Sequence, residues 1–427
     1  MYTSRRRTKN KKKIILLISS SFDFFYIKKI IKLLIKRKSC FEIWSLNFKS
    51  KGESKKYLIP KNKEFLGNQI FPIRNNNEFI KKIKKSKNYF FLSCEPLIDD
   101  QKYRNEQFLN KVRENFGIIQ KGDDFFLNLI NTKSLDLNIY KPILFAISKH
   151  KYIRAIKFLK DKINPKKILT LNKLKKIYSG YFYLEKFDIV PSNSKYLIYL
   201  PHYSTLSWKS KFFSHSLAFN KFFERKRKDE NIIKFIFKKI FQLLFILSSF
   251  RSINIFLFEN EQKVLKKAFK FCKTYNLSLV IKTRKKNEIY NYFKKYSDKI
   301  IIDDHKKQNP NYLEELLPNC QLAICYSSQT IYECIYNNVP VINLDNLYYT
   351  LIERDIPIID VSTNGEFNYK NLIFKYSVTS FLKNCSIENI DKLKFSMLHK
   401  KIYLNKFLNI KKNFNGEKKI ISYIENC

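Results

Sequence analysis

No Cys-x-x-Cys pair occurs among the eight cysteines of this chain, and its five histidines are scattered. A structural zinc site needs ligands at short, repeated spacing, so the sequence offers none. No stretch reaches the ~18 uninterrupted apolar residues that span a bilayer. There is no internal repeat and no long low-complexity tract. Acidic residues are few, 37 Asp+Glu against 83 Lys+Arg, which leaves a net charge of +46. Glycine is scarce at 7 residues, and only 13 of the 83 cationic residues are arginine. Lysine, isoleucine, asparagine, phenylalanine and tyrosine have AT-rich codons, so compositional drift accounts for the excess as well as any of three partners would. Those partners are nucleic acid phosphates, anionic lipid headgroups and a phosphorylated substrate.

What is present favours packed cores. Hydrophobic residues make up 44% and aromatics 16% of 427 residues, enough for two domains of ordinary size. Several cysteines sit inside apolar runs, which suits buried free thiols in a reducing, cytosolic-facing setting. The start, "RRRTKNKKKIILLISSSFDFF", mimics a signal peptide, but its apolar core is short, Asp23 interrupts it and no small-residue cleavage site follows. It reads instead as a strand "KIILLIS", a helix "FFYIKKIIKLLIKR" and a strand "FEIWSLNF", a βαβ unit.

The segment "IIKFIFKKIFQLLFILSSF", Ile232 to Phe250, carries Lys234, Lys238 and Lys239 in an otherwise apolar helix pattern. Two readings stay open: a buried or domain-bridging helix, and a helix lying in a membrane interface.

Around "VPSNSKYLIYLPHYS" a Pro/Ser/Asn linker leads into a strong strand, which places a domain boundary there. The expected division is residues 11–190, residues 195–380, and C-terminal helices over 381–427 that return to the N-terminal domain, with Ile420, Ile421 and Ile424 as the face to bury. From Lys195 onward strands and helices alternate: "KYLIYL", "INIFLF", the helix "ENEQKVLKKAFKFCKTYN", "LSLVIKT", "EIYNYFKKYS", "KIIID", "NYLEELLPN", "LAICY", "SQTIYECIYNN" and "VPVINLD". Continuous apolar strands between amphipathic helices predict an α/β fold with a parallel sheet covered on both faces.

Ligands of such sheets bind beyond the carboxyl ends of the strands. Ser327, Ser328 and Thr330 fall where the helix after "LAICY" begins, a place for phosphate as well as for an ordinary serine cap. Lys282 and Arg284 end the strand "LSLVIKT" on the same edge, as phosphate ligands or as a solvated basic turn. Glu333 lies six residues after Ser327, where a carboxylate accepts from ribose hydroxyls or faces solvent.

The stretch "LEELLPNCQLAICYSSQTIYECIYNNVPVINLD" resembles the carboxy-terminal domain of GT-B-type transferases, in particular the CDP-glycerol glycerophosphotransferase family and related bacterial surface-carbohydrate proteins. "LVIKTRKK" and "YLIYLPHYS" are similar to two further motifs of that domain, in the same order, and the resemblance covers roughly Lys195 to Asp345. It departs from the family at Cys325, where an aspartate is usual, and at Thr283 and Arg284, where His-Pro is usual, so a nucleotide-sugar donor is as consistent as a polyol-phosphate one.

The resemblance implies two Rossmann-like domains with parallel sheets facing a central cleft. It implies that Ser327, Ser328, Thr330, Lys282 and Arg284 hold donor phosphate and that Glu333 reaches the nucleotide sugar. No cofactor and no metal are expected. For the catalytic base the candidates are His202, after the first strand of the second domain, and Asp23, after the first strand of the first; Asp303, Asp304 and His305 end another strand. The expected partners are a nucleotide-activated sugar or polyol donor, a lipid-linked or polymeric glycan acceptor, and an anionic membrane surface on the cytoplasmic side. A nonhydrolysing sugar-nucleotide epimerase shares the architecture. A nucleic-acid-binding protein is the reading from charge alone, though the lysines are spread through both halves.

Overall fold

The computed structural model of the chain describes residues 12–20, 23–46, 63–85, 88–94, 115–121, 141–160, 171–184, 195–201, 232–247, 250–283, 291–302, 313–326, 328–345, 368–384, 393–411 and 414–426. They form two compact units. The first gathers the described residues up to Tyr183 and those from Asn405 on; the second gathers those from Leu184 to Leu404.

The first unit is built on strands β1 (Lys13–Ile18), β2 (Phe41–Leu46), β3 (Glu64–Phe65), β4 (Asn68–Ile73), β5 (Tyr89–Ser93), β6 (Phe116–Ile119), β7 (Ile143–Ala146) and β8 (Lys176–Tyr178). They lie in the order β3-β4-β2-β1-β5-β6-β7-β8, and every pair except β3–β4 is parallel. The central strands are buried along nearly their whole length, which is why they read as unbroken apolar runs rather than alternating ones. Helices α1 (Asp23–Lys36), α2 (Asn76–Lys85) and α3 (Lys149–Lys160) belong to this unit. In α1 the buried residues Ile27, Ile30, Ile31 and Leu34 recur at helical spacing and form its apolar stripe.

The second unit has six strands, β9 (Tyr196–Tyr199), β10 (Ser278–Thr283), β11 (Lys299–Ile302), β12 (Cys320–Cys325), β13 (Val341–Asp345) and β14 (Ile373–Ser377). All pairs are parallel, in the order β11-β10-β9-β12-β13-β14. Its helices are α4 (Ile232–Leu247), α5 (Phe250–Thr274), α6 (Asn291–Lys295), α7 (Leu313–Leu316), α8 (Thr330–Tyr336), α9 (Val378–Asn384) and α10 (Met397–Leu408), the last ending inside the first unit. Val264, Leu265, Ala268 and Cys272 of α5 are fully buried in one core with Leu197, Leu279, Ile281, Leu322 and Ile324 of the three middle strands. The α/β class and the two parallel-dominated sheets expected from the sequence are what the structure has.

One expected strand is not a strand. The run "INIFLF", residues 253–258, lies inside α5, which continues without a break through Thr274. No glycine or proline separates it from the helical stretch that follows, so the helix extends back through it. Strand β14, which the sequence reading did not include, completes the sheet on the far side of β13.

The second sheet, numbered from its own first strand, has the order 3-2-1-4-5-6 of Rossmann-type folds. The chain moves outward from β9 through β10 to β11 and then returns to the other side of β9 at β12. The connections on the two sides of the β9–β12 pair therefore run in opposite directions and leave a crevice at the strands' carboxyl ends. The first sheet makes the same reversal between β1 and β5. The chain ends in α11 (Gly416–Asn426), whose Ile420, Ile421 and Ile424 are buried in the first unit.

Candidate functional site

In the second unit the reversal point brings together the residues that the sequence singles out. Tyr199 ends β9, opposite Ile281 on one side and Ile324 on the other. The Leu200 N–H donates to the Ile324 carbonyl (2.8 Å), which carries the pairing one residue past the strand. Tyr326 follows β12 directly, and the turn through Ser328, Gln329 and Thr330 opens α8. Lys282, half-buried on β10, lies two strands from β12, about 10 Å at ordinary strand spacing. A lysine side chain and a diphosphate together bridge that distance.

The turn is held by its own hydroxyls. The Thr330 N–H donates to Ser328 Oγ (3.2 Å), and the Ser328 hydroxyl donates to Thr330 Oγ1 (3.1 Å). This is a side-chain-to-backbone turn of the kind serine forms locally. The residue in the N-cap position is Gln329, with helical φ and ψ and no side-chain cap. Ser328 therefore has a structural task in the turn, while Ser328, Gln329 and Thr330 all remain half-exposed. Helix α8 is only 7 residues long, so its dipole adds little. Glu333 sits one turn further on and is half-buried, with Oε2 closed off from solvent. Ser327, Arg284, His202, Asp303, Asp304 and His305 lie outside the described residues.

Beneath this turn is a polar network that sequence reading missed. The Tyr199 hydroxyl donates to Glu261 Oε1 (2.9 Å), and Tyr292 on α6 donates to Glu261 Oε2 (3.0 Å). Tyr199 and Tyr326 hydroxyl oxygens are 3.0 Å apart. With the Tyr199 proton given to Glu261, Tyr326 is the donor of that bond. Tyr199 is fully buried, and Tyr326 and Glu261 nearly so. One carboxylate on α5 thus ties the end of β9 to the start of α6, and through Tyr199 it reaches Tyr326 at the end of β12. Burial, and after it the neighbouring Glu261, pushes the Tyr199 hydroxyl well above its ordinary pKa, and the same two causes in the same order raise Tyr326. Both are hydrogen-bond donors at neutral pH. Positions 199, 261, 292 and 326 form no pattern along the chain; the only sequence signal was Tyr326 beside the serine pair.

The thiols around this sheet are buried and protonated. Burial pushes Cys272, Cys320 and Cys325 up to about 12, and Cys334 well above its usual value. In an unfolded chain these groups ionise near 9.0, so between pH 9.0 and about 12 the folded state holds more protons than the unfolded one. Stability contributed by that difference is fully present below pH 9.0 and is lost as pH rises. The second unit is therefore expected to lose stability steadily as pH rises from 9.0 toward 12. Circular dichroism along an alkaline titration checks this. Cys325→Ala should move the midpoint upward, and a native spectrum retained beyond pH 12 would contradict the account.

In the first unit Asp23 stands at the equivalent reversal point. Its Oδ2 accepts from the N–H groups of Ser19 (2.7 Å) and Ser20 (2.9 Å), and Lys121 Nζ lies 2.8 Å from Oδ1. The side chain is fully buried and joins the end of β1 to the residue that follows β6 by two. Among the described residues no group of three or more metal-ligating side chains is present.

No family model and no curated protein matches the sequence. Solved structures with a similar chain path include the UDP-GlcNAc 2-epimerase of Methanocaldococcus jannaschii, at 14% identity and TM-score 0.43 over 96% of this chain and 99% of that one. An alpha-glucosyltransferase in complex with UDP and DNA matches at 9% identity and TM-score 0.44, over 97% of this chain and 99% of its own. The wall teichoic acid polymerase TagF matches at 12% identity and TM-score 0.40, over 97% and 89%. At such identities and scores the chemistry must be read from this chain's own residues.

Proposed function

We propose that this protein is a transferase that takes a nucleotide-activated sugar or polyol donor and adds it to a lipid-linked or polymeric glycan, at the cytoplasmic face of a membrane, in the assembly of a cell-surface polysaccharide. The observation that carries the reading is the strand-order reversal between β9 and β12, with Tyr326, Ser328 and Thr330 on one side of the crevice and Lys282 across it. Nucleotides bind Rossmann-type sheets at that place. The sequence resemblance over "LAICYSSQTIYEC" points to the same turn. Lys282, with Arg284 and Ser327, is assigned to the diphosphate, and Glu333 to the ribose. Thr330 and the turn's backbone supply further donors to the phosphate oxygens, and His202, just after β9, is assigned as the base that deprotonates the acceptor hydroxyl.

The test is calorimetric titration with UDP, CDP, GDP and ADP, and then with their sugar and polyol conjugates. One nucleoside diphosphate is expected to bind, and Lys282→Ala or Thr330→Val should weaken it. Each lost charge-assisted bond is worth ~1.5–3 kcal/mol, roughly ten- to a hundredfold in affinity. No binding by any nucleotide, or unchanged binding in the double variant, rejects the site. Product analysis with the nucleotide sugar alone separates transfer from epimerisation: interconversion without an acceptor would assign the same site to an epimerase.

A further inference from the structure

Helix α4 keeps a large apolar face in solvent. Ile232, Ile236, Phe237, Ile240 and Leu243 are between 40% and 67% exposed. At 3.6 residues per turn they fall within an arc of about 140°, so they form one surface rather than scattered contacts. Lys239 borders this arc by the same spacing. Lys239 Nζ sits 5.2 Å from the centre of the Phe235 ring. Of the two readings open for this segment, the buried helix does not hold for these five side chains.

We infer that this face of α4 docks the protein on an anionic lipid bilayer, lying in the headgroup region without crossing it. No helix among the described residues is long and apolar enough to cross a membrane. An interfacial helix needs an apolar face beside cationic residues, and α4 carries its five exposed apolar side chains next to Lys239. A second copy of the chain is the competing occupant, and two observations disfavour it. Two molecules of charge +46 would have to be brought together. In addition, one face of a helix ~24 Å long and ~10 Å across falls well short of the ~800 Å² per partner of a stable dimer. The charge that opposes a dimer favours a surface of phosphatidylglycerol-like headgroups. Nucleic acid would satisfy the lysines and leave the isoleucines in water. The inference is independent of the nucleotide site, since vesicle binding is measured without nucleotide.

The experiment is co-sedimentation of the full chain with vesicles of phosphatidylcholine mixed with phosphatidylglycerol, against phosphatidylcholine alone. Binding to the anionic vesicles should weaken as salt rises to about 1 M and should not vanish, because screening removes the lysine contribution and leaves the apolar one. The triple substitution Ile236→Ser, Phe237→Ser and Ile240→Ser is expected to weaken partition at least roughly tenfold at every salt. Phe237→Trp keeps the aromatic bulk and supplies a second readout. Its added fluorescence over the wild type should shift to the blue and be quenched by brominated lipid. The inference is overturned if the wild type ignores anionic vesicles, if salt alone releases it completely, or if the triple variant binds as the wild type does. It is equally overturned if sedimentation equilibrium shows a dimer that the triple variant abolishes, or if single-stranded RNA binds with the same dependence on Ile236, Phe237 and Ile240.

Discussion

Removing the chain from Phe414 onward is expected to unfold the first unit. The segment holds α11, whose Ile420, Ile421 and Ile424 are almost completely buried, and α11 packs on α1. Burial of one such side chain contributes ~1.5–3 kcal/mol, so the three together amount to about 5–9 kcal/mol. That is comparable with the ~5–15 kcal/mol by which a domain is stable at all. Other contacts go with them. Tyr423 meets the ring of Phe145 edge-on, Lys175 lies over Tyr423, and Arg37 pairs with Glu425 at 2.9 Å. The start of the helix is pressed so closely on residues 179–182 that a Cβ at Gly416 would collide with the Ser179 carbonyl oxygen. Hydrogen exchange on peptides from β1, α1 and β7 should show protection lost in the truncated chain. A truncated protein that melts as the full chain does would mean that α11 is an accessory to this unit rather than part of its core.

The sheets were legible in the sequence because buried parallel strands must be apolar throughout. β1 and β10 stand out as runs of isoleucine, leucine and valine closed by polar residues, and β12 and β13 as shorter apolar stretches. The same property misleads where a helix is also apolar throughout, as residues 253–258 are within α5. β14, "IFKYS", was missed because three of its five residues are only half-buried and its composition is mixed. At the candidate site, the position of Ser328 and Thr330 at a strand's end followed from the alternation of elements. Their hydrogen bonds to one another did not, since a serine at a turn reads the same whether it caps or binds. The Tyr326–Tyr199–Glu261–Tyr292 network was hidden altogether, because four positions far apart in the sequence supply one residue each. A buried carboxylate is betrayed by its partners, and only the fold assembles them.

Asp23 is the residue on which the two kinds of reading diverge most, and replacing it by alanine is expected to destabilise the first unit severely. Its place after the first strand made it a candidate base. Its contacts in the structure are those of a joint: two backbone N–H donors on Oδ2 and the Lys121 ammonium on Oδ1, all at 2.7 to 2.9 Å. As the first residue of α1 it also sets a negative charge at the positive end of a 14-residue helix. Asp23→Ala removes the acceptor and strands the buried Ser20 N–H, the half-buried Ser19 N–H and the partly buried Lys121 ammonium, a loss of about 3–5 kcal/mol when one member of a buried pair is deleted. For a unit of this size that lowers the melting temperature by roughly 10 °C. Asp23→Asn retains one carbonyl oxygen for the N–H groups of Ser19 and Ser20 and gives up only the charge on Lys121, so it should cost less, about 1–3 kcal/mol. The graded loss is what separates a joint from a base. A group that only accepts a proton during turnover would leave the melting temperature of both variants near that of the wild type while abolishing transfer in both, and that result would return Asp23 to the chemistry.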